Sequence, residues 1–284
     1  MSRRYAFSSL LCLWAIVLLS PPVFAEQTDA EDLAKVQGLW ERKGGDDVPG
    51  LQHAIKQITG NHEVVTYYGG GNRVLQAHEV DFKLERRGGV KIFTFFNRVD
   101  TEGPNKGQKS AEPVSYIYRA DDYTYVEVWG FLPEQAERPP KLLLWVKKPT
   151  QSPEATVAQQ QLQGDWRAHS DDKSATLAVF GNELTFHHGD EFITREGDRV
   201  VLSGVFRVDP TAKPQVIDLI ILRSPNGKKN GQTLRGIYEV NGDELRWCSG
   251  APNRTRPHEF AAREGSTQIV VTLKREQKPA KDAK

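Results

Sequence analysis

A short phrase that occurs twice constrains the fold of this chain more than any other feature. The segment Val-Gln-Gly-Leu-Trp at residues 36–40 returns as Leu-Gln-Gly-Asp-Trp at residues 162–166. Two further repeated motifs keep the same order along the chain. They are Arg98-Val99-Asp100 with Arg207-Val208-Asp209, and Ile117-Tyr118 with Ile237-Tyr238. Independent loops would not keep this order, so the recurrence predicts two copies of one domain.

The N-terminus has the features of a targeting segment. Arg3 and Arg4 form a basic start, an apolar stretch covers residues 10–19, and Ala25 ends a small-residue motif suited to cleavage. The stretch is too short to cross a bilayer comfortably. We therefore expect residues 1–25 to be a signal peptide, with an uncleaved anchor as the alternative. The mature protein would be periplasmic or extracellular, without a membrane span.

Charge and cysteine content narrow the function classes. The chain has 38 Lys and Arg against 37 Asp and Glu, and removal of residues 1–25 takes away two of the arginines. A near-neutral mature chain lacks the basic surface that nucleic-acid binding requires, so we expect no nucleic-acid partner. Cys248 would be the only cysteine left, which excludes an intramolecular disulfide and leaves stability to packing.

Composition shifts divide the mature chain into two domains. A stretch rich in Pro, Ser, Thr and Gln, which ends in a helix-compatible sequence, is typical of a flexible linker. The last nine residues contain no apolar side chain beyond alanine, which predicts a disordered tail. We predict, in order, a polar N-terminal lead at 26–35, a first domain at 36–148, the linker at 149–161, a second domain at 162–275 and the tail at 276–284.

Both copies alternate short apolar segments with turn residues. Asn241-Gly242 separates two such segments, and this dipeptide is the strongest short-range hairpin signal because both residues accept positive φ. Many short strands at even spacing predict an all-β fold of two tandem antiparallel β-barrels, with β-sandwiches as the alternative. Residues 49–59 are the exception, because their apolar side chains have helical spacing and predict a short helix that caps the first barrel.

Six segments of the second copy resemble a known family. They are Leu162-Gln163-Gly164-Asp165-Trp166, Lys213-Pro214-Gln215-Val216-Ile217-Asp218, Gly236-Ile237-Tyr238, Gly242 to Cys248, Arg256-Pro257 and Leu273-Lys274-Arg275. In this order they resemble the planctomycete-type lipocalin-like domain, a family of exported bacterial proteins. The first copy resembles a diverged relative, since it lacks the Lys-Pro and Asp-x-Leu-x-x-Cys segments. The resemblance implies a lipocalin-like barrel in each copy and no established activity.

The resemblance also implies a structural role for two tryptophans. In lipocalins a Gly-x-Trp motif begins the barrel, and a basic residue of the last strand covers the indole. The matching residues are Arg275 for Trp166 and Lys148 for Trp40, with the lysine before each basic residue as the alternative. A cation over an indole face contributes about 0.5–2 kcal/mol to stability.

Asp218, Tyr238 and Arg256 are the candidate polar ligand-binding residues of the second copy. Asp218 lies in the otherwise apolar run Val-Ile-Asp-Leu-Ile-Ile-Leu, where an ionised acid is costly unless it is paired. We expect Arg256 to pair with it or Tyr238 to donate a hydrogen bond to it. The three residues then form either a buried structural group or polar anchors in a ligand cavity.

Tyr123, Tyr125 and Trp129 are the aromatic candidates of the first copy. They fall on one face of a predicted strand, with Tyr116 and Tyr118 on the neighbouring strand. Such a dense aromatic group suits a core, an inter-domain contact, or a platform for sugars or apolar ligands.

No catalytic or metal-binding pattern is recognisable. His187 and His188 are adjacent, and adjacent residues of a regular strand point to opposite faces and so do not share an ion. No nucleophile elbow, zinc-protease motif or phosphate loop occurs, so we predict a non-enzyme without metal or cofactor. The leading hypothesis is an exported module for a small apolar or amphipathic ligand. The alternative is a structural protein with filled barrels that contacts an envelope protein, and an enzyme of unknown class is third.

Overall fold

Two closed eight-stranded antiparallel barrels follow one another along the chain in the computed structural model. This arrangement confirms the predicted all-β fold and the tandem barrels, and it excludes the alternative of two sandwiches. The described residues are 26–43, 45, 47–137, 139–149, 152–168, 181–262 and 266–276. The predicted signal peptide and nearly all of the predicted tail lie outside them.

The first barrel follows helix α1 (Glu26–Val36), which occupies the predicted polar lead. Its strands are β1 (Gly38–Lys43), β2 (His53–Thr59), β3 (His62–Tyr68), β4 (Val74–Arg87), β5 (Val90–Glu102), β6 (Lys109–Ser110), β7 (Val114–Ala120), β8 (Thr124–Trp129) and β9 (Lys141–Lys147). The short β6 pairs only with β5 and lies outside the ring. Pairing of β9 with β1 closes the ring.

The second barrel follows helix α2 (Pro153–Leu162). Its strands are β10 (Gly164–Ala168), β11 (Glu183–His187), β12 (Glu191–Glu196), β13 (Arg199–Asp209), β14 (Gln215–Arg223), β15 (Thr233–Asn241), β16 (Glu244–Ser249) and β17 (Ile269–Arg275). Each strand pairs with the next, and β17 pairs with β10.

Helix α2 occupies most of the predicted linker, which confirms that the end of this stretch is helical. Ser152 caps the helix, because its hydroxyl accepts a hydrogen bond from the Ala155 amide at 3.1 Å, and Pro153 begins the first turn. No helix in the described part of the chain is long and apolar enough to span a membrane.

The strand order shows which of the repeated motifs occupy equivalent strands of the two barrels. Ile117-Tyr118 lies in β7 and Ile237-Tyr238 lies in β15, and each is the sixth strand of its ring. The Arg-Val-Asp repeat does not occupy equivalent strands. Arg98-Val99-Asp100 lies in the fifth strand of the first ring, whereas Arg207-Val208-Asp209 lies in the fourth strand of the second. The evidence for duplication therefore comes from the Gly-x-Trp and Ile-Tyr repeats.

The helix predicted at residues 49–59 is wrong. Residues 53–59 form β2, which pairs with β1 on one side and β3 on the other. Ala54, Lys56 and Ile58 alternate along β2 and are buried at the inner face. A short segment with apolar residues at several spacings satisfies both the helical and the strand period. Here hydrogen bonds to two neighbouring strands make the segment a strand.

Each barrel begins with a glycine at positive φ that is followed by a buried tryptophan. Gly38 has φ +112° and Gly164 has φ +119°. The indole nitrogen of Trp40 donates to the Val36 carbonyl at 2.8 Å, and that of Trp166 donates to the Leu162 carbonyl at 2.7 Å. The same contact therefore joins the helix and the first strand in both copies.

A cation of the last strand covers each indole. The guanidinium of Arg275 lies 4.0 Å from the ring centre of Trp166, which confirms that predicted pair. The ammonium of Lys147 lies 5.0 Å from Trp40, so the preference for Lys148 is wrong. Lys147 is the register partner of Trp40 and shares its face, whereas Lys148 approaches Glu41 at 3.6 Å.

The two barrel interiors differ in chemistry. A single apolar cluster with one tyrosine occupies the interior of the second barrel. The first barrel has a smaller apolar cluster beside buried charged residues, which are Arg42, Lys56, Glu63 and Glu127. Among the described residues, the charged side chains of a barrel interior therefore belong to the first barrel.

Removal of the covering cations should destabilise the two barrels unequally. Arg275 also donates to the Gln163 and Gln161 carbonyls, at 2.5 and 2.8 Å. Arg275→Met should therefore lower the free energy of unfolding by about 2–3 kcal/mol, and Lys147→Met by about 0.5–1 kcal/mol. Urea unfolding followed by tryptophan fluorescence measures both values. Equal losses in the two variants would contradict the added role of the carbonyl contacts.

Candidate functional site

A lysine and two glutamates are buried together inside the first barrel. Lys56 of β2 is 2% exposed, Glu63 of β3 is 4% exposed and Glu127 of β8 is 2% exposed. The Lys56 ammonium lies 2.5 Å from Glu127 Oε1 and 2.8 Å from Glu63 Oε2. Burial of an unpaired charge is costly, so these ion pairs stabilise the ammonium in the interior. We call these three residues the buried triad.

Aromatic side chains complete the surroundings of the ammonium. It donates a hydrogen bond to the Tyr116 hydroxyl at 3.4 Å, and that hydroxyl lies 2.7 Å from the hydroxyl of Tyr125. The rings of Tyr125 and Trp145 each have their centres 4.9 Å from Lys56 Nζ. Ring faces attract cations, so these contacts add to the ion pairs.

Burial and the neighbouring charges act in opposite directions on the pKa of Lys56. Burial lowers the pKa of Lys56, but the charges and hydrogen bonds of Glu127 and Glu63 outweigh it, and the pKa is raised. Burial raises the pKa of Glu63, and the attraction of Lys56 offsets this only in part. Glu63 is therefore a carboxyl group that takes up a proton more readily than an exposed one.

A cavity of about 330 Å³ lies beside the buried triad. Its walls combine apolar and aromatic groups with ionisable groups, and they include Val65, Phe95, Tyr116, Trp129, Leu143, Trp145, His78, Arg98 and Lys141. Arg98 and Lys141 keep 32% and 39% of their side-chain surface exposed, which places them at the mouth.

Several polar atoms of the cavity wall are buried without a hydrogen-bond partner among the described residues. They are His78 Nδ1 and Trp145 Nε1, together with Glu63 Oε2, which lacks a hydrogen bond of good geometry but is held by its ion pair with Lys56. Buried polar groups in native proteins are nearly always satisfied by protein, water or ligand. These atoms therefore mark positions where a bound molecule would find donors and acceptors.

The structure separates the aromatic residues that the sequence grouped together. Tyr125 and Trp129 both point into the first barrel, where Tyr125 is fully buried and Trp129 lines the cavity. The indole nitrogen of Trp129 donates to Glu127 Oε2 at 2.9 Å. Tyr123 lies in the turn before β8 and reaches out of the barrel, so it does not share the site.

Asp218 joins the two barrels. It is 2% exposed, and it accepts hydrogen bonds from Arg256 Nη1 at 2.6 Å and Nη2 at 2.9 Å, which confirms the predicted pairing. The Tyr123 hydroxyl of the first barrel donates to the same carboxylate. Asp218 faces away from the second barrel's interior, because its neighbours Ile217 and Leu219 belong to the core.

Tyr238 does not contact Asp218. The register pairs Asp218 with Arg235 and Gln215 with Tyr238, so Tyr238 and Asp218 lie on opposite faces of the sheet. Tyr238 belongs to the apolar core of the second barrel. The predicted polar set is therefore divided between the barrel interior and the junction with the other barrel.

Three residues at the tip of the β11–β12 hairpin have the composition of a metal site. They are His187, His188 and Glu191, and their potential ligand atoms lie within 4.8 Å of one another. The expectation that the two histidines point apart assumed a regular strand. β11 ends at His187, and His188 has φ +50°, which turns its side chain back towards its neighbour.

Sequence reasoning missed the buried triad. Lys56 fell within the segment that was predicted as a helix, and lysine and glutamate are rarely fully buried. The available signal was the alternation Ala54-Lys56-Ile58, which places a lysine between two core positions once the segment is taken as a strand.

Comparisons with known proteins add no family to this description. No protein-family model matches the chain, and no curated protein matches it. The lipocalin-like family therefore stays a resemblance that the residues of the second copy carry.

The free energy of unfolding should depend on His78 at acidic pH. Burial, with smaller contributions from Arg98 and Lys56, lowers the pKa of His78 to about 3 from 6.5. The unfolded chain then binds a proton that the folded chain does not, so stability falls as pH drops from 6.5 towards 3, by about 1.4 kcal/mol per pH unit. His78→Gln should remove this loss, whereas the control His258→Gln, at an exposed site, should retain it. Urea unfolding at pH 7.5, 5.5 and 4.5 measures the difference, and parallel curves for wild type and His78→Gln would contradict it.

Loss of Asp218 should destabilise the protein. Asp218→Ala leaves the Arg256 guanidinium unpaired and removes the acceptor of Tyr123, so we expect a loss of about 3 kcal/mol. Addition of Arg256→Met should recover part of this loss because no charge is then stranded. Asp198→Ala, in an exposed turn, is the control and should change stability by less than about 0.5 kcal/mol. Chemical denaturation measures all four proteins, and an unaltered Asp218→Ala would contradict the structural role of the junction.

Proposed function

We propose that the protein binds a small amphipathic ligand inside its first barrel. The observation that carries this proposal is the cavity of about 330 Å³ whose wall contains buried polar atoms without partners. Ligand sites in proteins are concave and mostly apolar, with a few placed polar groups, and this cavity has that composition. The volume lies at the lower end of the range for small-molecule sites, so the ligand is compact.

The wall chemistry defines the kind of ligand. Phe95, Tyr116 and Trp129 offer ring faces, which suit a flat or weakly polar face of the ligand. Trp145 Nε1 is a hydrogen-bond donor, and His78 Nδ1 and the triad carboxylates add further polar contacts. A long alkyl chain would leave these polar groups unsatisfied, so the cavity selects a ring-sized compound with several hydrogen-bonding groups.

The buried triad has a separate part in this proposal. Its ion pairs fix the carboxylates of Glu63 and Glu127 on strands that face one another across the barrel. A site that is ordered before binding avoids part of the ordering cost of association. The triad therefore holds the polar wall in place and gives the ligand preformed acceptors.

The second barrel supports the first in this proposal. Its interior holds one large apolar cluster without charged residues, which favours the structural hypothesis for this half of the protein. The hydrogen bonds of Asp218 then attach the second barrel to the ligand-binding barrel. We include export to the periplasm or the cell exterior, and membership of the lipocalin-like family, in the proposal on the strength of the sequence resemblance and the predicted signal peptide.

A cavity-filling variant tests the site. Leu143 of β9 lines the cavity, so Leu143→Trp should occupy the space and weaken ligand uptake by tenfold or more, because overpacked space excludes the ligand. Its neighbour Leu142 is 61% exposed and faces the outside of the barrel, so Leu142→Trp is the matched control and should bind normally. Native mass spectrometry after incubation with a panel of sugars, nucleobases and aromatic acids detects uptake. A change in tryptophan fluorescence, to which Trp129 and Trp145 at the cavity contribute, follows the titration.

Two results would contradict the proposal. In the first, the wild-type protein takes up no member of the panel and carries no co-purified small molecule. In the second, binding survives Leu143→Trp and is lost in Leu142→Trp, which would locate the ligand outside the barrel. Circular dichroism of each variant confirms that the barrel has folded before binding is compared.

A further inference from the structure

The tip of the β11–β12 hairpin brings two imidazoles and a carboxylate together on the side that faces the first barrel. His187 and Glu191 are register partners of adjacent strands, so their side chains share the outer face. His187 Nδ1 lies 3.5 Å from Glu191 Oε2, which is longer than a normal hydrogen bond. The ring of His188 approaches the ring of His187 edge to face, with 4.7 Å between the centres.

One ring nitrogen of His187 lacks a hydrogen-bond partner in the described part of the chain. This atom, Nε2, is buried. His187 and Glu191 also line a groove of about 430 Å³ between the two barrels, so the group adjoins open space. A buried ring nitrogen without a hydrogen bond calls for an explanation, and a metal ion bound to this nitrogen would supply one.

We propose that His187, His188 and Glu191 form a site for a zinc ion. Two imidazole nitrogens and one carboxylate oxygen are a ligand set that zinc accepts, and three protein ligands leave a fourth position for water or another ligand. Magnesium and calcium prefer oxygen ligands and should bind weakly to this set. Tetrahedral zinc holds its ligand atoms about 3.3 Å apart, so side-chain rotation within the present 4.8 Å completes the site.

Lys43 of the first barrel competes for the carboxylate. Its ammonium makes an ion pair with Glu191 and lies 3.8 Å from Asp190. Asp190 is held separately by Arg207 Nη1 at 2.9 Å, so it is not free to replace Glu191 as a ligand. Zinc binding therefore replaces a cation from the other barrel, and the contact between the barrels at this point changes when the ion binds.

Zinc titration of the purified, tag-free protein tests this site. Competition with a chromophoric zinc chelator should give one zinc per chain, and a large excess of magnesium should not displace it. His187→Ala and His188→Ala should each weaken binding by on the order of 10–100-fold, since losses of this size follow even from outer-shell changes. His258→Ala, at an exposed histidine of the same barrel, is the control and should bind zinc like the wild type.

Lys43→Met separates this proposal from non-specific binding to surface histidines. Removal of the competing ammonium should tighten zinc binding several-fold, whereas binding elsewhere would not respond. The proposal is overturned if the wild type binds no zinc, if both histidine variants bind like the wild type, or if Lys43→Met leaves the affinity unchanged. X-ray absorption of the bound zinc should show two imidazoles with oxygen ligands, and any sulfur ligand would contradict the site.

Discussion

The pairing of the first strand of each barrel with its last is the constraint on which the rest of the structure depends. A closed ring leaves no edge strand, so every barrel strand is hydrogen-bonded on both sides. The tryptophan contacts occur at these seams, because Trp40 pairs with Lys147 and Trp166 pairs with Arg275 in register. Closure also creates an inside, and only within it do the buried triad and its cavity exist.

The sequence predicted the architecture well because architecture depends on patterns that repeat. The Gly-x-Trp motif, the regular turns and the short apolar segments each recur, and together they predicted two barrels. The short helix failed because apolar residues in an eleven-residue segment fit two periods, and pairing with neighbouring strands is not visible locally. The Arg-Val-Asp repeat was misleading for a different reason, because a three-residue match carries no information about strand order.

The candidate site was far less predictable because it depends on residues that violate the usual pattern. Lys56, Glu63 and Glu127 come from three strands that are distant in sequence, and each alone would be assigned to the surface. Only the closed ring brings them within ion-pair distance. The burial and pairing of Asp218 could be predicted because apolar residues surround it in sequence. Its contact with Tyr123 of the other barrel could not be predicted.

The Asp218 junction also shows what kind of contact joins the two copies. Tyr123 belongs to the turn between the sixth and seventh strands of its ring, whereas Asp218 belongs to the fifth strand of the other ring. Two different patches meet, so the contact is heterologous and lacks the two-fold symmetry of a typical homodimer. A third copy could in principle repeat such a head-to-tail contact. The equivalent turn of the second barrel is Asn241-Gly242-Asp243, which has no aromatic hydroxyl, so it lacks the donor that Tyr123 supplies in the first barrel.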